Sequence, residues 1–260
     1  MKIQFSKYQG AGNDFVMINN LNGDYDQLSI EQIQSLCDRK FGIGADGLIK
    51  INASSAAAFE VDYYNSDGSK SFCGNGARCS VAFAGTLGID INDTDFIAID
   101  GLHTAERIAS QIKIKMHDVT AIQKVEGAFV LDTGSPHYVK CVDDIDDFDI
   151  VDFGRGIRYS SKFKADGINV NLLERLDERS IRVATYERGV EDETLSCGTG
   201  VTACALVFGE LRQELGEQSV IVQTKGGDLL VQFERTNVGS FSSIFLTGPA
   251  KFVFQGTIEV

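Results

Sequence analysis

Two short segments carry the residues best suited to chemistry. One reads Cys73-Gly74-Asn75-Gly76-Ala77-Arg78-Cys79, the other Cys197-Gly198-Thr199-Gly200-Val201-Thr202-Ala203-Cys204. Each opens Cys-Gly-x-Gly and continues into small apolar residues, as the start of a helix would. The first N–H groups of a helix have no partner within it and carry the positive end of its dipole, so they cradle an anion such as a carboxylate. Glycine lets that anion approach the backbone closely. A cysteine at the same end sits in the same field, which favours its thiolate. Each segment therefore supplies an anion cradle and a base. Two of them acting on one carboxylate would stabilise the enolate-like charge that develops as an α-proton leaves. With one sulfur on each face of the α-carbon, a thiolate would remove that proton, a thiol would deliver another from behind, and the centre would invert. Such a scheme requires no pyridoxal phosphate and no other cofactor.

The two cysteines are separated by almost half of the 260 residues, which points to an internal duplication with one element per half. The first helix is expected to run through Val81-Ala82-Phe83-Ala84 to a stop near Gly88. The second is expected to run through Ala205-Leu206-Val207-Phe208 to a stop near Gly216, since glycine is common just past a helix end. Arg78 is the only charge between Cys73 and Gly88, and there is none between Cys197 and Gly209. Helices so poor in charge on every face are expected to be buried. Around them lie strand signals. Ile112, Ile114 and Met116 alternate with Lys113, Lys115 and His117; Ile181 to Thr185 continues in that style; Val220 to Gln223 and Leu229 to Phe233 flank Gly226-Gly227 as a hairpin would. The expected fold class is α+β, with two pseudo-symmetric domains, each a curved mixed sheet or barrel wrapped around a central buried helix. The halves are placed at residues 1–118 and 119–249.

Composition narrows the field. With 43% hydrophobic residues, 2 Pro and 27 Gly without a Gly-X-Y period, the chain is neither disordered nor collagen-like. A net charge of −13 and the lack of a basic stripe argue against nucleic acid. The acidic run Asp143 to Asp147 reads as a solvated loop. The opening residues lack the apolar core of a leader, and no stretch has the apolar length of a bilayer span, so no membrane association and a cytoplasmic location are expected. The six cysteines are then expected to be reduced. Cys37, Cys79, Cys141 and Cys204 read as small buried hydrophobes. The gaps from Cys73 to Cys79 and from Cys197 to Cys204 do not suit structural zinc, so no metal is expected. Gly42-Ile43-Gly44-Ala45-Asp46-Gly47 matches G-x-G-x-x-G. It is expected to follow a helix starting at Ser29, with Gln32 completing a capping box, and to precede a strand, the reverse of a dinucleotide site.

Taken together, the motifs resemble the diaminopimelate epimerase family over nearly the whole chain. Lys7-Tyr8-Gln9-Gly10-Ala11-Gly12-Asn13-Asp14-Phe15, Phe41 to Gly47, Tyr64-Asn65-Ser66-Asp67-Gly68-Ser69 and the first cysteine segment match in order. Gly134-Ser135-Pro136-His137, Gly167-Ile168-Asn169-Val170-Asn171, Glu187-Arg188-Gly189-Val190 and Glu193 to Gly200 follow. The resemblance implies cofactor-independent interconversion of LL- and meso-diaminopimelate, for lysine and peptidoglycan synthesis, by Cys73 and Cys197. It implies an active site between the domains, a C-terminal strand within 250–260 that completes the first domain, and a homodimer. Gly74, Asn75, Gly198 and Thr199 would hold the reacting carboxylate. Asn65, Asn169 and Arg188 would take the distal carboxylate, Glu187 the distal ammonium, and Asn13 would lie near the reacting centre. Arginine suits a planar carboxylate because its donors form a fork. His137 and Glu187 would assist proton movement.

Two departures stand out. Ser135 replaces the family's usual Asn, implying a shorter or water-mediated distal contact. The stretch from Glu187 to Cys197 is one residue longer than usual, implying a bulge. The nearest rivals are proline-racemase-like enzymes, which share the cysteine pair, and phenazine-biosynthesis-like isomerases, which share the fold without it. An amino-acid binding protein without catalysis, and a thiol redox or metal-binding protein, are the rivals from other classes.

Overall fold

A computed structural model describes residues 1–260, which fold as two compact units: 1–114 with 248–260, and 115–247. The first begins with strands β1 (Lys2–Gly10) and β2 (Asn13–Asn20), helix α1 (Ile30–Cys37), and strands β3 (Gly47–Asn52) and β4 (Phe59–Asn65). Helix α2 (Gly74–Thr86) and strands β5 (Thr94–Ala98), β6 (Gly101–Ile108) and β7 (Gln111–Lys115) follow. Neighbouring strands pair β1–β2 antiparallel, β2–β3 parallel, β3–β4 antiparallel, β4–β5 parallel, then β5–β6 and β6–β7 antiparallel.

The run Phe15-Val16-Met17-Ile18 is buried on both sides, because β2 is sandwiched. Phe15 and Met17 join a core with Val81, Phe83 and Ala84 of α2. Val16 and Ile18 join another with Ile33 and Leu36 of α1. Helix α1 starts as its sequence demands. Ser29 accepts from the Gln32 N–H at 3.3 Å, and the Gln32 side chain accepts from the Ser29 N–H at 2.9 Å. The glycines 42 to 47 follow this helix and lead into β3, so the dinucleotide arrangement is absent.

The second unit holds β8 (Gln123–Val125), β9 (Ala128–Asp132), β10 (Pro136–Val142), helix α3 (Ile150–Arg158), β11 (Asn169–Arg175), β12 (Ser180–Glu187) and β13 (Asp192–Thr194). Helix α4 (Gly198–Arg212) and strands β14 (Gly216–Thr224), β15 (Gly227–Asn237) and β16 (Ser240–Pro249) complete it. Its pairings are β9–β10 antiparallel, β10–β11 parallel, β11–β12 antiparallel, β12–β14 parallel, then β14–β15 and β15–β16 antiparallel. This is the same alternation as in the first unit, with α3 in the place of α1 and α4 in the place of α2. The duplication suggested by two cysteine segments is thus written through the whole strand order.

Both central helices are buried. In α2 even Arg78 is fully enclosed, and α4 is buried without a break from Gly200 to Gly209. Helix α2 stops as expected, with Leu87 as its cap and Gly88 at φ +91°. Helix α4 does not reach Gly216. It stops at Arg212, and Gln213 takes the left-handed conformation at φ +61°. Gly216 instead opens β14, whose nine-residue ladder with β15 outweighs the roughly 1 kcal/mol of a left-handed non-glycine residue. The turn between these strands is tight, Thr224 pairing with Gly227. The last strand, β17 (Lys251–Glu259), pairs antiparallel with β1 and so belongs to the first unit.

Candidate active site

In the first unit, Cys73 is the N-cap of α2, in extended conformation. Its sulfur accepts from the Gly76 N–H at 3.5 Å and lies 3.5 Å from Asn13 Oδ1. Asn13 stands at the start of β2, where a hydrogen bond from its Nδ2 to the Asp46 carboxylate holds it. Asp46 pairs with Arg39 at 2.6 Å, and Arg39 also grips Asp14 with both terminal nitrogens, at 2.7 and 3.1 Å. Lys7 completes this cluster at 2.8 Å from Asp14. Burial works to raise the Asp14 carboxyl, but the hydrogen bonds from Arg39 and Lys7 outweigh it and hold it at about 2.

Asn75, in the first turn of α2, has its Oδ1 held by Arg78 Nη2 at 2.7 Å and its Nδ2 3.5 Å from Asn13 Oδ1. Arg78 also reaches the Gly74 carbonyl at 3.5 Å and the Pro249 carbonyl at 3.4 Å. Gly10 packs against this helix start. A Cβ there would meet the Asn75 carbonyl oxygen at 3.2 Å and Cys79 Sγ at 3.3 Å. Asn65 is not in this group. At the end of β4 it takes a hydrogen bond from the Tyr63 hydroxyl at 2.8 Å and donates to Ser69 and Ser71.

In the second unit, Cys197 is the N-cap of α4, and its sulfur lies 3.5 Å from Thr199 Oγ1. Thr199 Oγ1 lies 2.9 Å from His137 Nε2, and the Thr199 carbonyl accepts from the Thr133 hydroxyl at 2.9 Å. His137 comes from β10 and Asn171 from β11. Asn171 Nδ2 lies 3.1 Å from His137 Nδ1 and 3.0 Å from the Tyr138 carbonyl. Asn171 Oδ1 accepts from the Thr185 hydroxyl of β12 at 2.9 Å. Burial, aided by the charge of Arg188, pushes His137 down to about 3, so it is neutral near pH 7. Gly200 has no room for a side chain, because its Cβ would meet Asn171 Oδ1 at 2.6 Å.

Asn169 pairs with His137 in the β10–β11 register. Its Nδ2 donates to Ser135 Oγ at 2.9 Å and to the Pro136 carbonyl at 3.1 Å, and its Oδ1 accepts from the Arg188 N–H at 2.9 Å. Ser135 therefore serves as an anchor for Asn169. Glu187 ends β12, and Arg188 follows with Nη1 on the Asp166 carbonyl at 2.9 Å. The lengthened stretch before Cys197 folds as a hairpin of β12 and β13 around Glu191. That residue takes φ +60°, and its carboxylate accepts from the hydroxyls of Tyr186 at 2.9 Å and Tyr159 at 3.0 Å.

Of the remaining cysteines, Cys37, Cys79 and Cys204 are buried as expected, but Cys141, expected to be buried, is exposed near the end of β10. Burial pushes Cys37 up to about 11 and Cys79 up to about 12, and it raises Cys204 well above the ordinary thiol value. No three His, Cys, Asp or Glu side chains converge to hold a metal ion. No helix is long and apolar enough to cross a membrane.

Sequence reasoning missed Asp46 and Asn171 as supports of the two sulfurs. Asn171 had a signal. With Asn169 it alternates against Val170 and Leu172, so two amides share one face of a buried strand. Asp46 had none beyond its place in the glycine-rich stretch.

With this geometry in view, comparison with known proteins is specific. A family model described as diaminopimelate epimerase matches residues 5–124 and 129–253. A diaminopimelate epimerase of Flavobacterium psychrophilum is 45% identical over 97% of this chain and 98% of its own length. One from Chlorobaculum tepidum is 38% identical over 96% and 99%. Among solved structures, a phenazine biosynthesis protein of the PhzF family from Bacillus anthracis superposes with a TM-score of 0.79 at 13% identity, covering 100% of both chains. A hydroxyproline epimerase from Agrobacterium vitis superposes with a TM-score of 0.70 at 13% identity, over 99% of this chain and 92% of its own. At such identities these structures establish the fold alone.

Proposed function

The chain belongs to the diaminopimelate epimerase family, and from that membership we propose that it interconverts LL- and meso-diaminopimelate without a cofactor, using Cys73 and Cys197 as its two proton carriers. The observation that carries this reading is the repetition of one device. In each unit a cysteine N-caps a buried central helix whose first residues are Gly-x-Gly.

The reaction balances in protons and electrons. One sulfur, as thiolate, takes the α-hydrogen as a proton and becomes a thiol. The electron pair of the broken C–H bond spreads into the reacting carboxylate, where N–H groups at Gly74, Asn75, Gly198 and Thr199 meet the developing charge. The other sulfur gives its proton to the opposite face of the same carbon and becomes the thiolate. This step requires both sulfurs at one α-carbon. Asn13 lies beside the Cys73 sulfur and His137 behind Thr199, which suits them to assist there. Asn65, Asn169 and Arg188 take the distal carboxylate and Glu187 the distal ammonium. Ser135 and the Glu191-centred hairpin hold Asn169 and Arg188 in place for that role. The protein acts in the cytoplasm as a homodimer. The apolar Phe252, Val253 and Phe254, exposed on β17, support that assembly.

The test is incubation with LL-diaminopimelate in deuterated water with no added cofactor. One α-deuterium is expected in the inverted product, and none with Cys73→Ala or Cys197→Ala. Epimerisation at the parent rate by either variant would defeat the mechanism. Turnover of proline or hydroxyproline in place of diaminopimelate would overturn the substrate assignment.

A further inference from the structure

Four aromatic rings stack in series in the first unit, and the last belongs to the residue before Cys73. In the β4–β5 register Phe59 stands opposite Phe96, and in the β5–β6 register Phe96 stands opposite His103. Residues directly opposite one another project from the same face of a sheet, so their rings can meet. Phe59 and Phe96 stack with centroids 5.4 Å apart and planes 11° from parallel, and Phe96 and His103 stack at 5.2 Å and 17°. The fourth ring comes from outside the sheet: Phe72 stacks on the same imidazole at 4.4 Å, with planes 3° apart. His103 is itself held. It is buried, and its Nε2 donates to the Asp100 carboxylate at 2.8 Å, at the turn between β5 and β6.

Phe72 has a particular place relative to α2. With Cys73 as N-cap, Phe72 is the residue before the cap and Ala77 is the fourth helical residue. A hydrophobic pair at these two positions fixes the angle at which a chain enters a helix. Phe72 and Ala77 line one small void with Val61, Cys73, Gly76 and Phe96. The side chain of Ala77 is a single methyl group, too small to pin a phenyl ring. The imidazole of His103 supplies the broad face that Ala77 lacks. The cap depends on this entry, because the Cys73 carbonyl accepts from the Ala77 N–H at 2.8 Å and its sulfur from the Gly76 N–H at 3.5 Å. In the second unit the residue before the cap is Ser196, which has no ring, so the brace belongs to Cys73 alone.

We propose that His103 is a positioning residue for proton transfer at Cys73: its ring holds Phe72, and Phe72 sets the entry of the chain into α2 and with it the seat of the sulfur. The role in turnover rests on the two-cysteine reading, whereas the packing role does not. His103 touches no reacting atom in this scheme, and no proton passes through it.

Hydrogen–deuterium exchange of the full chain, resolved by mass spectrometry with fragmentation, separates positioning from general stability. His103→Ala should speed exchange of the Gly76 and Ala77 amides about tenfold. Helix α1 of the same unit should keep its parent rate, and so should the Val201 amide, which is bonded to the Cys197 carbonyl as Ala77 is to that of Cys73. His103→Phe, which keeps a ring and gives up the bond to Asp100, should return Gly76 and Ala77 to the parent rate. Phe72→Leu, at the partly exposed end of the stack, should repeat the pattern of His103→Ala, and it carries the test if His103→Ala does not fold. With LL-diaminopimelate, His103→Ala should lower kcat about tenfold and leave KM within about twofold, and His103→Phe should restore kcat. Parent exchange at Gly76 and Ala77 in His103→Ala or Phe72→Leu, equal acceleration at all these sites, no rescue by His103→Phe, or the expected exchange without a fall in kcat would each overturn the proposal. The expected exchange pattern in a protein whose parent form moves no α-hydrogen would sink the epimerase reading and leave the brace standing.

Discussion

The starts of α2 and α4 are the same device supported in two different ways. Both present an N-cap cysteine, a glycine and a polar residue at the second helical position. Beneath α2 lies a buried arginine, Arg78, which braces the first turn through Asn75 and the Gly74 carbonyl. At the corresponding place in α4, five residues after the cysteine, is Thr202, whose hydroxyl bonds the Gly198 carbonyl at 2.9 Å. Beside α2 the support reaches outward to an ion cluster around Asp14 and Asp46. Beside α4 it runs inward through neutral groups, Thr199, His137, Asn171 and Thr185, drawn from the helix and three adjacent strands. A repeated fold can therefore place two like thiols at helix starts while giving each its own electrostatic surroundings.

Removing the cysteines tests how far the two halves are equivalent, and has the largest expected effect. Cys73→Ser and Cys197→Ser should each cost about a thousandfold or more in kcat for epimerisation of LL-diaminopimelate, in line with the loss of a positioned acid or base. A loss confined to one of them would break the comparison at its root.

Exchanging the braces comes next. Arg78→Thr imports the α4 solution into α2, leaves a cavity and frees Asn75. Urea denaturation should show a loss of about 3 kcal/mol. Unchanged stability would mean that the buried guanidinium is not a brace.

The glycines sharpen the contrast further. Gly200→Ala places a Cβ against the Asn171 amide, and should cost about 1–3 kcal/mol in urea denaturation. In Gly76→Ala the nearest atom is the mobile end of Ile49 at 3.2 Å. There the crowding is small and the gain in helix propensity, about 1 kcal/mol, offsets it. Equal losses from the two substitutions would show that the Asn171 contact has no special weight.

The remaining effect, spread over several pH units, concerns His137. His137 is held neutral in the fold, while in the unfolded chain it takes up a proton below its ordinary value of 6.5. The unfolded state then binds the extra proton, so this share of stability is present above pH 6.5 and is lost as pH falls toward 3. Unfolding free energy should drop by about 1.4 kcal/mol or less per pH unit in that window. His137→Gln should flatten this slope, and a slope unchanged by the substitution would mean that His137 is not the group responsible.

Local patterns made much of this legible in advance. The Cys-Gly-x-Gly starts, the Ser29–Gln32 cap and the alternating strands depend on neighbours a few residues apart. The tight turn before β15 does too. The end of α4 was misjudged because Gly216 looked like a cap, whereas strand pairing claimed it and a left-handed Gln213 closed the helix. The supports of the sulfurs were the least legible. Asp46 reaches Asn13 across 33 residues and Asn171 reaches His137 across 34, and no local rule joins such pairs. Ser135 was read only against the substrate, and its bond to Asn169, 34 residues away, had no local signal.

The pairing of β17 with β1 has a consequence for biosynthesis. A ribosome releases β1 early and its antiparallel partner only after every other element has emerged. At cellular elongation rates the interval is on the order of ten to fifty seconds. Throughout it, one margin of β1 offers unsatisfied amide and carbonyl groups to any passing chain, a recognised route to aggregation. Docking of the final segment onto β1 is therefore the step that closes this exposed margin.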